Sequence, residues 1–191
     1  MNARHPQPAP ALVVDQWFNT DQPITLESLR GKVVVIEAFQ MLCPGCVSHG
    51  LPQAARVHQT FSASEVAVIG LHTVFEHHDA MTPTALKAFL HEYRIPFPVG
   101  VDRPDGHDGV PQTMRAYAMR GTPTLILIDA RGNLRQQHFG SVADLTLGAQ
   151  IAELVLEARQ DSAQEAVTTS QPEHAAPDTD CASGACPVDA R

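Results

Sequence analysis

The sequence predicts an α/β protein, a three-layer α/β/α sandwich with a mixed central sheet, and three features carry that expectation. Apolar runs of strand length alternate with segments of helical periodicity from Val33 to about Arg159. Those runs lack polar alternation, the pattern of strands covered on both faces. The last two are separated by Asp129-Ala130-Arg131-Gly132, a hairpin turn, so the sheet must combine antiparallel with crossover-linked strands. At 191 residues and 43% hydrophobic content, the chain has material for one core.

Gly31-Lys32 leads into the first core strand, at about Val33 to Phe39, and a helix follows from near Pro44 past Pro52 to about Phe61. Val66 to His72 reads as the next strand. Thr82-Pro83 then supplies an N-cap and a proline suited to a first helical turn. The helix it opens, Thr84 to Tyr93, aligns Leu86, Phe89, Leu90 and Tyr93 on one face. A short extended piece at Phe97 to Val101 precedes a brief helix at Gln112 to Met119, in which Met114 and Met119 read as core packing. Strands at Thr124 to Ile128 and Leu134 to Phe139 follow, then a terminal helix from Ala143 to about Arg159. Beyond it the apolar pattern stops, and Ser, Thr, Gln, Ala, Pro and acids dominate through Asp180, a composition expected to be disordered. The expected organisation is an N-terminal extension over 1–16, one domain over 17–159, and an acidic tail over 160–191.

The formal charge of -8 argues against a nucleic-acid binder, which needs a basic face to neutralise phosphates. From Gln160 to Arg191 there are six acids and one base, so the tail supplies -5 of that charge and the domain is only mildly acidic. Neither a secretory leader nor a membrane span is recognisable, which makes the cytoplasm the expected compartment. In a reducing compartment a close cysteine pair points to catalysis or metal binding before a structural staple.

Such a pair stands at Cys43-Pro44-Gly45-Cys46, where the strand Val33 to Phe39 gives way to a helix. A cysteine at the first turn of a helix faces unpaired backbone N–H groups and the positive end of the peptide dipoles. Its pKa is expected below the free value of about 8.5, which makes it a nucleophile at neutral pH. Cys43 is nearer the helix start and is the expected nucleophile; Cys46, one turn on and more buried, is expected to resolve the mixed disulfide. An inert disulfide and a metal site are the alternatives. The first closes too small a loop to stabilise much. The second needs about four ligands, and the core offers one C-x-x-C.

Further along, Gly121-Thr122-Pro123-Thr124 precedes a hydrophobic strand, and Ile24-Thr25-Leu26 with Leu29-Arg30-Gly31-Lys32 precedes the first core strand. In this combination the chain, from about Trp17 to Leu156, resembles the thioredoxin superfamily. It is most similar to the redoxin branch of thiol–disulfide oxidoreductases, near the cytochrome c maturation thioredoxins and the peroxiredoxins. The resemblance implies a thioredoxin-like fold and reduction or exchange of protein or small-molecule disulfides, with a thiol or reductase as electron donor and no cofactor. It implies that Pro123 is cis beside the dithiol, exposing the Thr122 backbone to pair with an extended substrate; a trans turn proline is the alternative. It also implies that Glu37, six residues before Cys43, assists proton transfer for Cys46. An unpaired carboxyl amid an apolar strand holds its proton tightly, unless it bends to a strand end or pairs with Lys32 or an arginine.

Three departures accompany the resemblance. Leu42 replaces the tryptophan common before the first cysteine, loosening the wall of the substrate site. Gly45 replaces a proline between the cysteines. Pro52 falls six residues after Cys46, where thioredoxin has five, so the helix kink is expected to shift. A peroxiredoxin-like antioxidant peroxidase is the nearest rival, but such a site needs a proline seven residues and a threonine or serine three residues before its cysteine. Ile36 and Gln40 stand there before Cys43, and Phe39 and Cys43 before Cys46.

Two further groups bear on metal or redox roles. Cys181 and Cys186 form a second dithiol in the tail, about 22 residues after Arg159, and a flexible linker of that length spans on the order of 25 Å. They are candidates for an internal shuttle to Cys43 and Cys46; incidental thiols or a weak metal site are the alternatives. Glu76-His77-His78-Asp79, with His72 nearby, reads as a solvated loop, and no metal site is expected.

Overall fold

A computed structural model describes residues 7–106 and 109–169. Its sheet has six strands: β1 (Val14–Phe18), β2 (Val33–Phe39), β3 (Val66–His72), β4 (Val99–Asp102), β5 (Thr124–Ile128) and β6 (Leu134–Phe139), in the order β1-β4-β3-β2-β5-β6. β2, β3 and β4 are parallel, whereas β1 runs against β4, β5 against β2, and β6 against β5. The mixed α/β architecture is therefore as expected. Every residue of central β2 is buried, which explains why its sequence shows no alternation.

The four helices are α1 (Leu51–Thr60), α2 (Pro83–Glu92), α3 (Gln112–Ala116) and α4 (Asp144–Thr169). One face of the sheet packs Val33, Val35 and Phe39 against Leu51, Ala54 and Val57 of α1, Leu86 and Leu90 of α2, and Leu147, Ile151 and Leu154 of α4. The other packs Val34, Ile36 and Ala38 against Met114 of α3, Tyr117, Met119 and Leu26. Ala9, Leu12 and Val14 also lie on this second face. Residues 7–16, expected as an extension, are thus part of the packed unit: the Tyr117 hydroxyl donates to the Pro10 carbonyl at 2.6 Å, and Leu134 N–H to the Gln7 carbonyl at 2.8 Å.

One strand was not expected and one helix runs longer than expected, each for an identifiable reason. β1 escapes notice because it is a short edge strand with a register shift between Val14 and Gln16 and mixed exposure. α4 continues ten residues beyond Arg159 to Thr169. Its amphipathic stripe ends, but alanine, glutamine and glutamate favour helix. Ion pairs from Arg159 to Glu65 (2.6 Å) and from Asp161 to Arg131 (2.6 Å) tie that stretch to the foot of the sheet.

His72, at the end of β3, is fully buried against Phe39, with ring centroids 5.2 Å apart and no partner among the described residues for either ring nitrogen. Burial pushes its pKa down from 6.5 to about 4. A group depressed in the folded state stabilises above its unfolded pKa, and that stability is lost as pH falls through the folded one. Each pKa unit corresponds to roughly 1.4 kcal/mol, so about 3 kcal/mol should disappear between pH 7 and pH 4. Denaturant titrations of wild type and His72→Leu should show that loss in the wild type only; parallel pH profiles would contradict it.

Candidate active site

The dithiol sits where β2 ends and helical backbone begins at Pro44. Cys43 occupies the N-cap position, with Pro44 at the first helical residue, where a missing N–H is harmless. The Cys46 N–H, in the first turn, donates to Cys43 Sγ at 3.2 Å. That bond and the helix end favour negative charge on this sulfur once the pair is reduced. Cys43 and Cys46 are joined as a disulfide, with Cα atoms 5.3 Å apart. Cys43 is partly exposed and Cys46 is fully buried, the asymmetry expected of an attacking and a resolving cysteine.

Across from the disulfide runs the Gly121-Thr122-Pro123-Thr124 loop, in which the Thr122-Pro123 peptide is cis. The Thr122 carbonyl oxygen lies 3.5 Å from Cys43 Sγ. The loop is pinned on both sides: the Thr124 hydroxyl donates to the Gly121 carbonyl (2.7 Å), and the Gly140 N–H to the Pro123 carbonyl (2.8 Å). A side chain at Gly45 would begin 3.3 Å from Pro123 Cδ, so the dipeptide between the cysteines fits closely under the proline ring. Leu42 is 57% exposed beside Cys43, an apolar rim in place of an aromatic wall.

Glu37 lies in mid-strand, paired with Gly70 of β3 and Leu125 of β5, and is 1% exposed. It neither reaches a strand end nor pairs with Lys32, whose Nζ instead donates to the Ala63 carbonyl at 2.9 Å. Its Oε1 has no hydrogen-bond partner among the described residues. Desolvation raises its pKa from 4.5 to about 8, so this carboxyl changes protonation near neutral pH.

The sequence profile described as the AhpC/TSA family matches residues 6–137. The chain belongs to the AhpC/TSA family. The chain is similar to a solved thiol-disulfide isomerase from Corynebacterium glutamicum, at 52% identity and a TM-score of 0.74 over 77% of this chain and 96% of that one. Among sequences, it is 32% identical to protein DipZ of Mycobacterium bovis over 126 residues, 65% of this chain and 17% of that protein. The chain thus spans about a sixth of the length of that relative. It is also 29% identical to the thiol:disulfide interchange protein DsbE of Allochromatium vinosum, over 71% of this chain and 67% of that protein.

This AhpC/TSA-family site has two features that sequence reasoning missed or only half found. Between Cys46 and α1 the helix opens into a π turn, Cys46–Gly50. A π turn absorbs one extra residue, and a proline just beyond it cannot offer the N–H of a regular turn. The displaced Pro52 was the visible signal. The second feature is Gln40, noted above only as unsuited to a peroxidase. It is buried, accepts from the Phe75 N–H (3.2 Å) and donates Nε2 to Glu76 Oε1 (3.3 Å), tethering the loop after β3 to the approach to Cys43. Nothing in its local sequence announces that partner 36 residues away.

Other candidates from the sequence stand elsewhere or fall outside the described residues. Cys181 and Cys186 lie outside the described residues, as do residues 107 and 108. Met114 and Met119 pack in the second core, and among the described residues no group of three or more His, Cys, Asp or Glu is placed to hold a metal ion. No helix among them is long and apolar enough to cross a membrane.

Proposed function

We propose that the chain is an enzyme, a thiol–disulfide oxidoreductase that reduces or exchanges disulfides in proteins or small molecules. What carries the reading is the joined Cys43 and Cys46 pair, with the more exposed sulfur at a helix start and facing a cis-proline loop. In the reductive direction the Cys43 thiolate attacks a substrate disulfide, forming a mixed disulfide and releasing one substrate thiolate. Cys46 then attacks Cys43 sulfur, its S–H proton passing to the fraction of Glu37 that is ionised, and the second substrate sulfur leaves as thiolate. Two electrons pass from the dithiol to the substrate. The Thr122 backbone, the Pro123 ring and the Leu42 side chain form the bed on which an extended substrate segment lies. The donor that restores the dithiol is a thiol or a reductase, and the expected setting is the cytoplasm.

A Cys46→Ser variant tests the order of attack. Incubated with a disulfide substrate such as insulin, it should accumulate a covalent adduct at Cys43, read by non-reducing electrophoresis and mass mapping. An adduct on Cys46 in Cys43→Ser, with none in Cys46→Ser, would reverse the assignment.

The cycle closes with Cys43 and Cys46 alone, and Cys181 and Cys186 remain candidates for passing electrons to or from them. α4 begins at Asp144, near Gln53 and Arg56, and carries the chain to Thr169, a length of about 39 Å for its 26 residues. Cys181 then lies 12 positions beyond Thr169. A chain of that length has a root-mean-square span of about 19 Å and a limit of about 42 Å. The internal shuttle expected from the sequence counted its linker from Arg159, about 22 residues before Cys181. Replacing both Cys181 and Cys186 with serine and measuring turnover with the natural reductant decides between a shuttle and incidental thiols: a marked loss supports the shuttle, and unchanged kinetics remove it.

A further inference from the structure

Glu37 faces a cavity that neither Cys43 nor Cys46 lines. A cavity of about 240 Å³ is lined by Glu37, Gly50 and Pro123 at depth and by Ser48, Arg56 and Ser141 among its outer residues. We propose that this cavity is the port through which Glu37 exchanges its proton with solvent, apart from the mouth where substrate meets Cys43, and that Gly50 is the positioning residue that keeps it open. The proposal rests on Glu37 being the proton carrier described above.

Gly50 supplies the first argument. Its backbone, at φ -60° and ψ -59°, is ordinary helix that any residue adopts. Glycine there is destabilising by roughly 1 kcal/mol relative to alanine, so its backbone does not explain it. Space does: a Cβ at Gly50 would fall on Glu37 Oε1 and come within 3.2 Å of Pro123 Cβ. The π turn, with its extra residue, is what brings Gly50 over the carboxyl.

The second argument is hydration. Oε1 is buried without a partner among the described residues, a condition that costs about 1 to 3 kcal/mol unless water supplies the bond. A cavity of about 240 Å³ has room for several waters at roughly 30 Å³ each. Its rim is polar: the Ser48 hydroxyl and His49 Nδ1 are 2.6 Å apart, and the Arg56 guanidinium meets Asp144 at 3.0 Å.

The third is timing. Glu37 must take up the Cys46 proton while Cys43 is still bonded to substrate, and at that moment the substrate covers the dithiol mouth. A route behind Gly50 stays open throughout the exchange.

The test follows deuterium entering the Glu37 carboxyl of the full-length oxidised protein. Its infrared carbonyl band, identified by its absence in Glu37→Gln, shifts when protein is mixed into D2O. Two plugs are used, Gly50→Ala beside the carboxyl and Ser141→Trp at the rim; a bulky maleimide on Cys43 of Cys46→Ser blocks the other mouth. Each plug should slow the band shift at least about tenfold, because solvent no longer reaches the acid, and the maleimide should not. Wild-type rates in both plugged proteins, slowing by the maleimide, or the lack of any Glu37 band would overturn the proposal. Failure of the underlying reading looks different: Glu37→Gln would then turn over substrate as wild type does, whatever the exchange rates.

Discussion

Glu37→Gln should be more stable relative to wild type the higher the pH, with a relative gain of about 4 kcal/mol between pH 5 and pH 9. The cause is the carboxyl buried in β2, whose pKa burial lifts from 4.5 to about 8. Between those values the folded chain holds a proton that the unfolded chain has released. Stability in that window therefore falls as pH rises, the reverse of an ion-paired carboxylate. Above pH 8 the folded state must carry a buried carboxylate, and the loss levels off. Glutamine fills a similar volume and does not titrate, so its stability lacks this slope. Urea midpoints of both proteins from pH 5 to pH 9 read the difference directly, and parallel profiles would show that Glu37 is not held protonated. The same substitution should slow disulfide exchange, since the group that takes the Cys46 proton is gone while both sulfurs remain. Stability and activity thus move in opposite directions, the signature of a strained group kept for chemistry.

How much of this was legible in the sequence depended on whether one residue or a distant pair carries the feature. β2, β3 and β5 were readable because central strands have no polar face, and β6 because of the hairpin. In that turn Asp129 Oδ1 accepts from the N–H groups of Arg131 (3.0 Å) and Asn133 (2.8 Å), and Gly132 takes a positive φ of 78°. Thr82 and Pro83 announced α2, and the Thr82 hydroxyl indeed accepts from the Ala85 N–H at 3.3 Å. The dithiol was legible for the same local reason, a motif at a strand-to-helix junction. β1 was not, because its pairing with β4 is made 80-odd residues away and its own pattern is mixed. Gln40 and the hollow behind Gly50 were beyond reach as well. Each exists only once β2, the π turn and the loops around Phe75 and Ser141 are brought together. Pro52 is the instructive intermediate: its displacement by one residue was visible, but that it meant a π turn and a glycine over Glu37 required the fold.

Cys43→Ser should lower the kcat/KM for disulfide reduction by at least about a thousandfold, the loss typical when a covalent nucleophile is removed. A serine hydroxyl at the same N-cap can still accept the Cys46 N–H, so the fold should survive and the loss can be assigned to chemistry. Among the described residues the other cysteine does not take over easily. Cys46 is fully buried beneath the helix start and cannot meet a protein disulfide without opening the π turn. Cys46→Ser should behave differently: the first attack proceeds at close to the wild-type rate, then stalls, because no second sulfur closes the ring. Single-turnover kinetics with insulin separate the two, one variant showing no burst and the other a burst of about one equivalent followed by slow turnover. Thiol titration of reduced wild type should place the first ionisation below about 8.5, for the amide and helix-end reasons that apply to Cys43 alone. Retention of multiple-turnover activity by Cys43→Ser would sink the mechanism, and with it the claim that the helix start at Pro44 exists to present an ionised sulfur to the Thr122-Pro123 loop.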